Sequence, residues 1–100
     1  MSLAAVIASV VKRVPTPTYG YYGGYYARHK NDLAGNHPEP IDEMDYAFFE
    51  HDMGMSNSLL VLKLEWTNDS KLKYRIYGAA YRRAAIAVFK LEVKLGVEHP

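Results

Sequence analysis

The last third of this chain carries the strongest constraint on its fold, a repeat of apolar side chains spaced alternately by three and four residues. That spacing puts all of them on one stripe of an α-helix and is typical of a surface that packs against another helix. Gly96 follows the repeat and is suited to end the helix. The pattern predicts a long helix over residues 71–95. Its apolar stripe consists of Tyr74, Tyr77, Tyr81, Ala84, Val88, Leu91 and Leu95.

A second helix is predicted over residues 42–55. Asp42 is suited to the N-cap, and Glu43 and Asp45 place acidic side chains in the first turn, where the helix dipole favours them. Apolar residues then recur at spacings of three and four up to His51. With 100 residues there is room for one domain. We therefore expect a single, mostly α domain over residues 1–100, with two long antiparallel helices.

Two further segments have ambiguous patterns. Leu3–Val11 is apolar but too short to span a bilayer, and it lacks the basic start of a signal peptide. We interpret residues 1–14 as a short amphipathic or buried helix, with a membrane-touching helix as the alternative. Residues 59–66 fit both helical and strand spacing, and we favour the helix.

Composition excludes several classes of protein. The chain has no cysteine, which rules out disulfides and thiolate zinc sites. A small secreted domain usually relies on disulfides, so we expect synthesis in the cytoplasm without a secretion signal. The net charge of +1 argues against a strongly basic nucleic-acid binder. Charge is uneven, however, since residues 39–52 carry only acidic and residues 71–94 mainly basic side chains.

The loop over residues 19–40 is rich in glycine and tyrosine and precedes the second helix. Glycines let a loop turn its carbonyl oxygens toward one point, and calcium prefers carbonyl and carboxylate oxygens. The carboxylate of Asp52 could complete such a site, and the adjacent His51, beside Phe48, could be a tuned general base. The alternatives are a solvated His-Asp pair and a Tyr/Gly loop that packs or binds a partner.

Three segments resemble the phospholipase A2 superfamily, in the same order along the chain. That family's calcium loop reads Tyr-Gly-Cys-Tyr-Cys-Gly, and Tyr19–Gly24 reads Tyr-Gly-Tyr-Tyr-Gly-Gly. Its catalytic helix reads Asp-x-Ala/Cys-x-x-x-His-Asp and is similar to Asp45–Asp52. Its second long helix reads roughly Cys-Asp-Arg-Ala-Ala-x-x-Cys-Phe and is similar to Tyr81–Phe89. Without cysteines, the chain resembles the compact domains of this family in viral capsid proteins, notably those of parvoviruses.

The resemblance implies calcium-dependent hydrolysis of the sn-2 ester of phospholipids at a membrane surface, in the service of viral membrane penetration. By this resemblance His51 is the general base that activates water. Asp52 binds calcium together with loop carbonyls near Tyr22, Gly24 and Tyr26. The implied partners are a phospholipid membrane and capsid or other assembly proteins, and the implied location is the virion.

Three positions depart from the family pattern. The Tyr four residues after the His is Met55, the last loop glycine is Tyr26, and the acid that orients the His falls at Arg82. Either another acid such as Asp69 reaches His51, or the domain is a catalytically inactive phospholipase A2-like module of a viral or membrane-associated assembly. A lipid binder that does not cleave is a third reading.

Overall fold

The computed structural model describes residues 17–24 and 37–97. Within these ranges the chain forms three α-helices, α1 (Glu43–Asp52), α2 (Asn57–Trp66) and α3 (Arg75–Leu95), with a 3₁₀ turn over Asp69–Lys71. No strand is present in the described part, where β pairing is limited to one bridge between Tyr19 and Gly23. The mostly α fold is thus confirmed, whereas the predicted helix over residues 1–14 lies outside the described residues.

Local side-chain chemistry sets the ends of the first two helices. Asp42 is the N-cap of α1, since its Oδ1 accepts a hydrogen bond from the Asp45 N–H at 2.9 Å. Ser56 caps α2 by accepting from the Leu59 N–H at 3.2 Å. The helix α1 ends at Asp52 rather than at residue 55, because the chain turns through Gly54 at φ +113°.

The long helix also begins later than predicted. Asn68 accepts from the Ser70 N–H, which holds residues 69–71 in the 3₁₀ turn, and Leu72 is extended. The helix therefore starts at Arg75 and ends at Gly96, whose φ is 72°. The helical interpretation of residues 59–66 is confirmed by α2.

Side-chain contacts reveal the direction of the three helices. Phe48 meets Tyr81 at a ring distance of 5.7 Å, and His51 meets Phe89 at 5.1 Å, so the contacts advance in the same direction along α1 and α3. The helix α2 runs the opposite way, because its start contacts residue 97 and its end contacts residue 82. This order differs from the expected antiparallel arrangement of the two outer helices, since α2 reverses the chain between them.

The helix α3 packs through Tyr81 of its apolar stripe and through a face beside the stripe. Gly78 and Ala85 are buried, whereas Val88 and Leu91 on the stripe are 52% and 42% exposed. A Cβ atom at Gly78 would lie 3.0 Å from Leu72 Cδ1. Small residues thus let neighbouring side chains approach the helix axis. The core therefore lies against Gly78 and Ala85, on the face of α3 next to the stripe. Buried apolar residues of the core are Tyr19, Tyr22, Met44, Ala47, Phe48, Leu60, Leu64, Leu72 and Ala85.

The first described segment is bound to the start of α1 through Asp45. This carboxylate is fully buried and accepts hydrogen bonds from the backbone N–H groups of Tyr21, Tyr22 and Ile41 at 3.2, 2.9 and 3.0 Å. Hydrogen bonds to a buried carboxylate are stronger than neutral ones. Asp45 therefore fixes the position of the loop relative to α1.

None of the described helices combines the length and the apolar character that crossing a bilayer requires.

Replacing Gly20 with Ala should destabilise the fold far more than the same change at Gly96. Both glycines have positive φ, 60° and 72°, so each substitution costs about 1–2 kcal/mol of backbone strain. Only at Gly20 would the new Cβ meet another group, Asp45 Cγ at 2.5 Å. We expect an additional loss of about 1–3 kcal/mol for Gly20→Ala. Urea unfolding followed by circular dichroism measures both variants, and equal losses would contradict the clamp at Asp45.

Candidate functional site

His51 lies in the last turn of α1, and its side chain is hydrogen-bonded to the side-chain amide of Asn57. It is only 7% exposed, and its Nε2 lies 2.6 Å from Oδ1 of the fully buried Asn57. The Nδ2 of Asn57 donates to the backbone oxygen of Val97 at 2.8 Å. Because the amide nitrogen faces a carbonyl, the amide oxygen faces His51 and accepts a hydrogen bond from it. This hydrogen bond requires a proton on Nε2, so the tautomer that fits the contact has its lone pair on Nδ1.

Asn57 is the site residue that sequence reasoning missed. It follows His51 by six residues and is the first residue of α2, directly after the Ser56 cap. A usable signal was the turn Gly54-Met55-Ser56, since it folds the start of α2 back toward the end of α1. Only the packed structure shows that the amide reaches the imidazole.

Asp69, the acid that could have reached His51, is bonded to Arg82 in the described contacts. Arg82, at the family's acidic position, donates from Nε to Asp69 Oδ1 at 2.7 Å and from Nη1 to the Leu64 oxygen at 3.2 Å. Its hydrogen bond to Asp69 lowers the pKa of that carboxyl group. Arg82 therefore joins α3 to the end of α2 and to the turn that follows it, and in the described contacts the partner of His51 is Asn57.

The carboxylate of Asp52 lies on the same face of α1 as Asp45, which binds the loop. Its side chain is partly buried, and this burial, followed by the charge of Asp45, raises the pKa of Asp52 to about 7. Asp45 precedes it by seven residues, or about two helical turns, so both lie on one face of α1. Phe49 lies between them on that face. A cation here would offset both the cost of burying the Asp52 charge and its repulsion by Asp45.

Of the predicted calcium-binding residues, Tyr22 is brought to this same face. Its ring packs edge-on against Phe49 at 5.0 Å, and its hydroxyl donates to the Pro38 oxygen at 2.6 Å. Gly24 follows at φ +131°, in a conformation that favours glycine. Tyr26 lies outside the described residues. The structure therefore joins Tyr22 to the Asp45–Asp52 face of α1.

The ligand atoms near Asp52 decide whether calcium could bind there. Among the described residues, no cluster of three or more His, Cys, Asp or Glu side chains could hold a metal ion. A calcium site at Asp52 would consequently take backbone oxygens as its remaining protein ligands, and this carboxylate and carbonyl set suits a hard cation. The residues present fit calcium in donor type.

An aromatic groove of about 450 Å³ opens at the other end of α1 from His51. It lies between the first described loop and the start of α3. Tyrosine rings with polar tips suit contact with a partner that is partly apolar and partly polar. The groove is lined by Thr18, Tyr19, Gly20, Tyr21, Ile41, Lys73, Tyr74 and Tyr77.

Comparisons with protein-family models, with curated proteins and with solved structures find no match for this chain. The phospholipase A2 resemblance therefore rests on the sequence motifs alone and stays a prediction.

Asp52→Asn should stabilise the calcium-free protein in alkaline solution. The folded-state pKa of about 7 exceeds the ordinary value of 3.8, so the folded state binds this proton more tightly than the unfolded state does. The resulting stabilisation is present below about pH 4 and is lost as the pH rises through about 7. Asn stays neutral throughout. We expect a gain of about 1–2 kcal/mol at about pH 8, because solvent screening reduces the full effect of the shift.

Urea unfolding in chelator, near pH 4 and about pH 8, measures this difference. Asp69→Asn is the matched control with the opposite sign. Arg82 lowers the pKa of Asp69, so its contribution is present above the ordinary pKa and lost in acid. Equal effects of Asp52→Asn at both pH values would contradict the burial of its charge.

Proposed function

We propose that this chain hydrolyses the sn-2 ester of phospholipids at a membrane surface in a calcium-dependent reaction. The observation that carries the proposal is the chain of hydrogen bonds from His51 through Asn57 to the Val97 oxygen. It supplies what a general base needs, a fixed ring whose Nε2–H is bound and whose Nδ1 is left to take up a proton.

In the proposed reaction His51 removes a proton from the attacking water through Nδ1. The charge that develops on the imidazole is stabilised at Nε2 by the Asn57 oxygen, which accepts the hydrogen bond in a buried setting. The ring of Phe89, 5.1 Å away, limits the orientations open to the imidazole. Asn57 thereby provides the orientation that an acid at position 82 provides in the phospholipase A2 family.

Asp52 would hold calcium together with loop carbonyls near Tyr22, Gly24 and Tyr26. When bound, calcium would polarise the ester carbonyl as a Lewis acid. The role of Asp45 is to position the loop, since it binds the N–H groups of Tyr21 and Tyr22 and leaves their carbonyls for other contacts. A calcium loop is thus part of the proposal, whereas an antiparallel pair of long helices is not required for it.

Contact with a phospholipid membrane is proposed at the start of α3. Ile76 is 92% exposed, and Tyr74 beside it is 53% exposed. Lys73 and Arg75 flank these side chains and are also exposed. Apolar side chains among cations suit a membrane surface that contains acidic lipid. By the resemblance we further propose a capsid-associated protein of the virion, made in the cytoplasm.

The test is release of fatty acid from phospholipid vesicles, with calcium and with chelator, by the wild type and by His51→Gln. We expect release by the wild type in calcium alone. The variant should be inactive, because Gln cannot take up the proton. Circular dichroism confirms that both proteins are folded. A folded wild type that releases no fatty acid in calcium would contradict the proposed hydrolysis.

Asn57→Leu should lower kcat by about 100- to 10,000-fold, the range expected when a catalytic histidine loses its orienting partner. Arg82→Lys serves as the control, because Arg82 bonds to Asp69 and Leu64 rather than to His51. It should alter stability and leave kcat nearly unchanged. Should Asn57→Leu keep full kcat, Asn57 has no role in orienting His51.

A second candidate function is a catalytically inactive phospholipase A2-like module of a viral or membrane-associated assembly. The observation that favours it is the ion pair of Arg82 with Asp69, since the family's orienting position is here used to join α2 and α3. The vesicle assay separates the two. A folded chain that binds vesicles without calcium-dependent release would support the inactive module.

A further inference from the structure

The aromatic groove between the first described loop and the start of α3 is lined by four tyrosine rings. Tyr77 lies nearly parallel to Tyr19, at a ring distance of 6.1 Å and an angle of 14°. Tyr74 stands at 84° to Tyr19, at a ring distance of 6.4 Å. The rings thus form a corner with faces in two directions. Three of the four tyrosines are exposed, so a ligand can reach them: Tyr21, Tyr74 and Tyr77.

Two carboxylates lie directly behind these rings. Asp42 accepts a hydrogen bond from the Tyr19 hydroxyl and another from the Lys73 N–H at 3.1 Å. Asp45 lies behind Gly20, where a Cβ atom would come within 2.5 Å of its Cγ. Burial, then Asp42 and less strongly Asp45, raise the pKa of Tyr19, so its ring stays a neutral phenol. Aromatic faces with negative charge behind them attract a cation.

The chain already places one cation against these rings. The Lys73 ammonium lies 5.8 Å from the centroid of the Tyr74 ring, within the distance over which an aromatic face attracts a cation. Lys73 is itself exposed and lines the groove, so it also offers a positive charge to an anion. A ligand that satisfies both features carries a cation suited to aromatic faces, with an anionic group beside it. Quaternary ammonium is the cation that aromatic cages recognise.

We infer that the groove binds the phosphocholine headgroup of a membrane lipid. The trimethylammonium group lies among the exposed tyrosine rings, and the phosphate lies beside Lys73. The groove volume of about 450 Å³ is in the range of small-ligand sites, ~300–1,000 Å³. Ile76, 92% exposed at the start of α3, adds an apolar contact that a lipid surface provides and free phosphocholine does not. The inference rests on the membrane contact of the proposed function and does not require hydrolysis.

Isothermal titration calorimetry of the full chain with phosphocholine and with phosphoethanolamine tests the groove. The two ligands share the phosphate and differ only in the methyl groups on nitrogen. We expect phosphocholine to bind about 10-fold more tightly, and Tyr74→Leu to weaken its binding by about 10-fold, because one aromatic face is lost. Tyr46→Leu is the matched control, since Tyr46 is 51% exposed on α1 and does not line the groove. Equal binding of the two ligands, or none by the folded wild type, would overturn the site.

Lys73→Gln separates the phosphate from the cation. It should weaken phosphocholine binding by about 3-fold, the size expected for an exposed ion pair. Choline without phosphate should bind the variant at least as tightly as the wild type, because a like charge has been removed. An equal loss for both ligands would show that Lys73 does not hold the phosphate.

Vesicle flotation in chelator shows whether the ligand belongs to a membrane. We expect flotation with phosphatidylcholine vesicles and much less with phosphatidylethanolamine vesicles, each containing the same fraction of acidic lipid, and a loss of this preference in Tyr74→Leu. Chelator stops the calcium-dependent reaction, so this outcome is separate from the fatty-acid assay with His51→Gln. Phosphocholine binding without the lipid preference would replace the lipid by free phosphocholine. Tighter binding of a trimethyl-lysine peptide would replace it by a protein.

Discussion

The buried carboxylate of Asp45 is the interaction on which the rest of this structure depends. It binds three backbone N–H groups, two from the loop that begins the described chain and one from the residue before the α1 cap. A buried charge is tolerated only when hydrogen bonds replace its lost hydration. Gly20 makes this approach possible, because a side chain there would collide with the carboxylate. One acid thus fixes the loop, the start of α1 and the electrostatic setting of Asp52.

A second buried polar contact, between His51 and Asn57, lies at the opposite end of α1. His51 and Asn57 are both buried, and the Asn57 amide donates to the backbone oxygen of Val97, just after α3. This pair joins all three helices at one point. In the proposed reaction this amide would orient the histidine, as an amide does in other systems with a catalytic histidine.

Two neighbouring faces of α3 differ in the size and the exposure of their side chains. Gly78 and Ala85 on one face are small, which lets Tyr19, Leu72 and the other helices come close. The apolar stripe beside it has larger side chains, of which Val88 and Leu91 remain exposed. A regular repeat reports that a helix has an apolar surface. It does not indicate which elements pack on that surface, because packing depends on how closely the neighbouring backbones can approach.

The local features of this protein could be predicted from its sequence. Capping by Asp42, the stop at Gly96, the helix over residues 59–66 and the mostly α class each follow from interactions between neighbours along the chain, so they can be read from spacing and residue type. The tertiary structure alone decided three others: the pairing of His51 with Asn57, the ion pair of Arg82 with Asp69, and the parallel course of α1 and α3. These depend on where the short connections around α2 bring distant residues together, and that follows from the packing of the whole core.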